Sequence, residues 1–183
     1  MKITDVEGII LESPDKYLNP AGSEEATGVA YCFLIKISTD EGITGWSDVE
    51  TAPHVASSLI GAPRTGSDMM EGIREMLIGE DPFEVEKIWN KLYLGTAYYG
   101  RRGVAIQVMS GVDIACYDII GKAVGRPVYQ LLGGGYRKQV RAYASTLFRP
   151  TPADIKRACD YYMSKGFTAI KFGWGDFWSE CHP

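Results

Sequence analysis

Apolar positions along the chain switch between the two-residue repeat of a strand and the 3.6-residue repeat of a helix. Ile3, Val6, Ile9 and Ile10 predict a strand over 2–11, and Tyr31, Phe33, Ile35 and Ile37 alternate in a second over 28–38. The turn Asp40-Glu41-Gly42 sends the chain back into a third strand over 43–49. Two loops interrupt this pattern: 13–27, rich in turn residues, and 50–66, with some helical content. Helices are predicted over 67–78 and from Asp81-Pro82-Phe83-Glu84, where Asp serves as cap and Pro opens the first turn. The second of these carries Val85, Ile88, Trp89 and Leu92 on one stripe.

The longest periodic stretch runs from Arg102 to Gly134. Val104, Val108, Val112, Ala115 and Ile119 form one helical face, and Ala105, Met109, Cys116, Ile120 and Ala123 form the next. Only Gln107, Ser110, Asp118 and Lys122 make a narrow polar strip, so the pattern predicts a helix buried on most sides. Gly125 stands where a left-handed cap is expected, and Pro127 opens a short helix with Val128, Leu131 and Leu132. Beyond Gly135 the pattern becomes strand (139–145), helix and strand (167–172). The helix starts at Thr151-Pro152, turns Ile155, Ala158, Cys159 and Tyr162 inward, and stops at Lys165-Gly166. Short connections between these elements predict a βαβ unit with parallel strands. The predicted class is α+β, with three antiparallel strands and helices over 1–135 and the βαβ unit over 136–183.

Composition narrows the function classes. The 183 residues are 45% hydrophobic and 23% charged, the balance of a globular protein with a proper core. A net charge of −4 with scattered basic residues argues against a nucleic-acid or anionic-membrane surface. The N-terminus lacks the basic and apolar segments of a signal peptide, and no apolar run is read as a membrane span. Cys32, Cys116, Cys159 and Cys181 are widely spaced, without metal-binding pairs, and read as reduced thiols of a cytoplasmic protein.

The segment SGVDIACYDIIGKAVGRPVYQLLGG (110–134) resembles the linker helix of the mandelate racemase and muconate lactonizing group of the enolase superfamily. The resemblance implies an enolase-like N-terminal capping domain followed by the first βαβ unit of a (β/α) TIM-type barrel. Such barrels take about 250 residues and eight strands; residues 136–183 suffice for two. The aromatic-rich end, with Trp174, Phe177 and Trp178, departs from the polar loop the family leads one to expect. Together these suggest the truncated product of a longer gene, interrupted by a frameshift or early stop.

The resemblance further implies a Mg²⁺-dependent enzyme that abstracts a proton α to a carboxylate. A sugar-acid dehydratase is the expected member, with racemase, epimerase or cycloisomerase as alternatives. In the family, Mg²⁺ is held by three carboxylates from the third, fourth and fifth barrel strands, so this fragment is expected to bind no metal and to be inactive alone. Oligomeric state stays open, a homo-oligomer among the options. A reading from another class is a non-catalytic binding or assembly module that uses its open sheet edge.

Lys171 is the candidate catalytic residue. In FTAIKF (167–172), alternation puts Phe167, Ala169 and Lys171 on one face and Thr168, Ile170 and Phe172 on the other. Bulky Ile170 and Phe172 suit the helix side, which sends Lys171 into the barrel; the alternative is a strand-end lysine in solvent. The resemblance implies Lys-x-Lys here, the second lysine commonly serving as base, but Gly173 fills that second position. Candidate substrate-binding residues are Tyr17 and His54, in loops corresponding to those that cover the substrate in the family, and Tyr143 and Ser145 on the first barrel strand. Plain surface roles for the first two, and core roles for the second two, are the alternatives. Arg101 and Arg102 either pair a carboxylate or brace the linker helix.

Overall fold

The protein was analysed as a computed structural model that describes residues 1–13 and 30–173. Residues 1–13 and 30–135 form one compact unit, and 136–173 belong to a second. In the first, strands β1 (Ile3–Ser13), β2 (Ala30–Thr39) and β3 (Thr44–Val49) form an antiparallel sheet in that order. Gly42 makes the β2–β3 turn at φ 77°, a conformation that favours glycine, and its N–H donates to Thr39 O at 3.2 Å. Along β2, Phe33, Ile35 and Ile37 alternate into the core, as their spacing predicts.

The inner face of the sheet is covered by α4 (Val104–Val124), which follows α1 (Pro53–Gly61), α2 (Ile73–Leu77) and α3 (Val85–Gly95) and precedes the single turn α5 (Val128–Leu131). Val108, Met109, Val112, Ala115, Cys116 and Ile119 of α4 are fully buried. Two glycines let α4 lie this close. A Cβ on Gly45 of β3 would stand 2.1 Å from the Ala115 carbonyl oxygen, and one on Gly111 would stand 2.4 Å from Val49 Cγ2. At the free edge of β3, Asp118 accepts a hydrogen bond from Trp46 N at 2.9 Å. Lys122 donates to Thr44 O at 2.7 Å and pairs with Asp118 at 2.6 Å. The acidic and basic members of the polar strip thus satisfy edge backbone groups that would otherwise template another strand. Gly125 caps α4 in the left-handed conformation, with Arg126 N donating to Gly121 O.

Four expectations for this unit change. Helix α4 is not buried on most sides: Ile114 and Val124 stay 51% and 48% exposed. By length and composition α4 is apolar enough to cross a bilayer, against the expectation that no segment is; its sheet-facing side is spent on this core. The helix over 67–78 shrinks to Ile73–Leu77. Gly72 is extended, with the Ala62 carbonyl oxygen 1.8 Å from where a Cβ would stand, and Ser67 O is taken by a turn to Met70 N. Asp81 closes a turn instead of capping α3: its carboxylate accepts from Phe83 N and its carbonyl from Glu84 N, so α3 begins at Val85. The loop over 50–66 has the helical content expected of it in α1, which opens on Pro53 and buries Ala56 and Ile60.

The second unit is β4 (Ala144–Leu147), α6 (Pro152–Ser164) and β5 (Ile170–Gly173). The strands are parallel, with Ala144 opposite Ile170 and Ser145 opposite Lys171. Thr151 caps α6 by accepting from Asp154 N at 3.2 Å, and Gly166, at φ 90°, follows its end. Both strands are shorter than predicted and start later. Arg141 holds Thr168 through Oγ1 and the carbonyl, so the ladder starts with Ala144 N donating to Ala169 O at 3.0 Å. Phe167 precedes the strand and packs edge-on against Tyr162 of α6, so the expected alternation does not extend back to it.

Two outcomes test the packing of α4. Gly45→Ala is expected to lower stability in urea unfolding by about 1–3 kcal/mol, the cost of overpacking. Gly61→Ala, whose Cβ would meet nothing within 4 Å, should stay within about 0.5 kcal/mol of wild type. Equal stability of wild type and Gly45→Ala would refute the close approach. The Cys116 thiol is pushed up to about 12 by burial, with the Asp113 charge adding to it. Iodoacetamide at pH 8 should therefore alkylate Cys116 only after denaturation; labelling of the folded chain at this residue would contradict its burial.

Candidate active site

The site is set by one alternation. In β4, Ala144 and Thr146 are buried while Ser145 and Leu147 are exposed. In β5, Ile170 and Phe172 are half-buried and border a groove with Cys159 and Met163 of α6. Helix α6 therefore covers the face carrying these side chains, and Lys171 emerges on the opposite one. Ser145 is its register partner, and Tyr143, two residues earlier, has its ring centroid 5.7 Å from Lys171 Nζ. Tyr143, Ser145 and Lys171 are thus brought together: an ammonium, an aromatic face and a hydroxyl. Lys171 is exposed, so the water-excluded surroundings a lysine base requires are not supplied by the described residues.

His54 lies in the other unit, as the second residue of α1. It is exposed, with its ring edge-on to Tyr31 at 5.7 Å. Tyr17 lies outside the described residues. Arg101 and Arg102 are exposed and form no ion pair among the described residues; Arg101 has φ 67°.

Among the described residues, no three His, Cys, Asp or Glu side chains cluster as metal ligands. Asp118 is occupied by Trp46 N and Lys122, and the Asp113 carboxyl is held above its ordinary range by burial and the Glu86 charge. A Mg²⁺ ion takes about six oxygen ligands in near-octahedral geometry, and the described side chains do not fit it.

Hydropathy patterning gives no sign of Arg149. It follows β4 by two residues and is 9% exposed. Phe148, between them, stacks on Phe172 at 5.5 Å and donates its N–H to Gly173 O at 3.2 Å, which holds this segment beside the end of β5. A buried arginine in a loop obeys no apolar period; its only signal is its place just after a parallel strand.

Comparison with known proteins adds a family to this geometry. The profile described as "Mandelate racemase / muconate lactonizing enzyme, N-terminal domain" matches residues 19–133. D-galactarolactone cycloisomerase from Agrobacterium fabrum is 36% identical over 150 residues, 78% of this chain and 36% of that protein. Arabinonate dehydratase from Saccharolobus solfataricus is 42% identical over 102 residues, 54% of this chain and 27% of that one. The crystal structure of 3,6-anhydro-D-galactonate cycloisomerase from Zobellia galactanivorans superposes with a TM-score of 0.74 at 26% identity, covering 94% of this chain and 42% of that chain. The chain thus spans about a third of the length of the curated relatives it matches.

The shared face predicts a cross-link. Ser145→Cys combined with Lys171→Cys should oxidise to a disulfide, because the two positions are register partners on one face. Ser145→Cys combined with Phe172→Cys should leave both thiols free. The reverse pattern, read by mass spectrometry, would mean that the strands are paired in another register.

Proposed function

The chain belongs to the mandelate racemase / muconate lactonizing enzyme family, and from that premise we propose that it is the N-terminal part of an enzyme that takes a proton α to the carboxylate of a sugar acid. The observation that carries this reading is the position of Lys171 on the face of the parallel pair turned away from α6, beside Tyr143 and Ser145. In a (β/α) barrel the helix-covered face is the outside, and active sites gather at the C-terminal ends of the strands. Lys171 is then an interior residue of the second barrel strand.

The chemistry assigned to Lys171 is proton handling at Nζ. As the neutral amine it accepts the α-proton, and as the ammonium it holds the substrate carboxylate that gains charge as the proton leaves. Tyr143 and Ser145 stand where they orient the substrate, the phenol and hydroxyl each able to donate and accept a hydrogen bond. His54, in the segment that corresponds to a substrate-covering loop of the family, is the candidate for a further substrate contact. A Mg²⁺ ion, if bound in the complete enzyme, would supply charge stabilisation at the substrate carboxylate, and no described residue is assigned to hold it.

Sugar acids are favoured because several relatives are named for their action on them, including arabinonate dehydratase and D-galactonate dehydratases. Dehydration is the preferred outcome. With Gly173 where the family commonly carries its base, the second acid/base group must come from elsewhere, and a dehydratase needs an acid at the leaving hydroxyl. The likeness to D-galactarolactone cycloisomerase favours a second reading, cycloisomerisation, which begins with the same proton removal. A cytoplasmic setting agrees with the unpaired cysteines Cys32, Cys116 and Cys159.

Proton exchange tests the proposal. In deuterated water with Mg²⁺ and D-galactonate or D-arabinonate, the 183-residue chain should leave the α-proton in place. An enzyme carrying this segment together with the rest of the barrel should exchange it, and Lys171→Ala should slow that exchange by about 10²–10⁴-fold. Exchange by the short chain, or full exchange without Lys171, would overturn the reading.

A further inference from the structure

A cleft in the first unit has no part in the chemistry above. It opens between the segment leading into α2 and the exposed side of α3, and its volume of about 600 Å³ is that of a small-molecule site. Its floor is tightly packed: a Cβ on Gly95 would stand 2.2 Å from Met76 Sδ. Glu71 is tied down at its backbone, with its N–H donating to Gly95 O at 3.0 Å and its carbonyl accepting from the Tyr99 hydroxyl. Its side chain lines the cleft from that fixed point and keeps 12% of its surface open.

The cleft offers spare groups of both signs. Lys91 Nζ donates to Met76 O and to Glu80 Oε1, each at 2.6 Å, and Lys87 Nζ reaches Glu84 at 2.6 Å and Glu80 at 3.0 Å. An ammonium has three N–H donors, so each lysine keeps one that no described residue takes. Glu80 is spent on these two: Lys91 first, then Lys87, holds its carboxyl below the usual carboxylate range. Around Glu71 the demand is reversed. Asp68 is exposed and accepts no hydrogen bond among the described residues. Glu71 Oε2 is buried without a hydrogen-bond partner, since Arg64 Nε stands 3.7 Å off, too far to donate. Arg64 is 66% exposed and held by one 3.2 Å bond to Glu75 O, so it can turn aside for an incoming donor. Gly95, to which Glu71 is tied, lies one turn of α3 from Lys91, about 5.4 Å along the axis. An acceptor of ammonium and a donor to carboxylate thus stand a short span apart.

We propose that this cleft binds an apolar α-amino acid as its zwitterion. Glu71 and Asp68 take the ammonium, Lys91 and Lys87 take the carboxylate, and Met76 and Leu94 flank the side chain. The charge balance selects this class. Three acids (Asp68, Glu71, Glu80) face three bases (Arg64, Lys87, Lys91), so a lone anion or cation gains at one end and is repelled at the other, whereas a molecule with both charges gains twice. The site shares no residue with the one around Lys171 and stands independently of the function proposed for it.

The test is an NMR titration of the wild-type 183-residue chain at constant ionic strength, read at the Met76 and Leu94 methyl resonances. The probes are L-leucine, L-methionine and L-phenylalanine, together with 4-methylpentanoate and 3-methylbutylamine, which are leucine without its amine or without its carboxylate. At least one amino acid should give saturable shifts, and each half-molecule should bind about tenfold or more weakly than leucine, the loss expected for hydrogen bonds to a charged group. Glu71→Gln should weaken the amino acid about tenfold and leave 4-methylpentanoate unchanged. Asp68→Asn, at an exposed side chain whose loss does not threaten folding, should act in the same direction with Tm unaltered. No saturable shift with any of the three amino acids would overturn the proposal. So would an amine that binds as tightly as leucine, which marks a plain cation site, or variants without effect on affinity, which make Glu71 a brace for Arg64 alone.

Discussion

Everything functional here depends on one constraint: helix α6 lies over one face of a four-residue parallel ladder. Side chains alternate along a strand, so the helix decides in one act which residues become core and which do not. Ala144, Thr146, Ile170 and Phe172 take the covered side, and Ser145 and Lys171 take the other. A slip of one residue in β5 would bury an ammonium against Ala158 and send Ile170 and Phe172 outward. The cost of burying that charge fixes the register more firmly than four backbone rungs would alone.

The larger unit solves a different problem with the same economy. A helix with apolar residues on nearly every side has to find close neighbours, and α4 finds them by approaching a strand at two glycines. Gly45 and Gly111 bring the Ala115 carbonyl and Val49 into direct contact with the facing element. At that separation Asp118 and Lys122 reach the unpaired edge of β3 and close it. The residues that make the family signature recognisable in sequence are therefore the ones that make this contact: Gly111, Ala115, Asp118 and Lys122 each have a packing or hydrogen-bonding task. None of them belongs to the candidate site, so the signature identifies the scaffold and leaves the chemistry to be read elsewhere.

How much was legible in the sequence follows from which forces set each feature. The three strands, the Gly42 turn, the Gly125 cap and the parity of Lys171 are local or periodic, and the pattern of residues carries them. Tyr143 beside Lys171 follows from the same alternation once the strands are paired. The limits of α2, β4 and β5 depend on contacts across sequence, namely Gly72 against Ala62 and Arg141 on Thr168, which no period records. The exposed flank of α4 escapes the pattern because hydropathy reports what a face tolerates and not what lies against it. Arg149 was invisible for a related reason: a buried charge breaks the rule that periodicity relies on.

The account stands or falls on the direction in which Lys171 points, and nuclear Overhauser contacts report that directly. The ε-methylene protons of Lys171 should show contacts to the ring protons of Tyr143 and none to the Ala158 methyl of α6. Contacts to Ala158 with none to Tyr143 would place the lysine under the helix and contradict the assignment of the site.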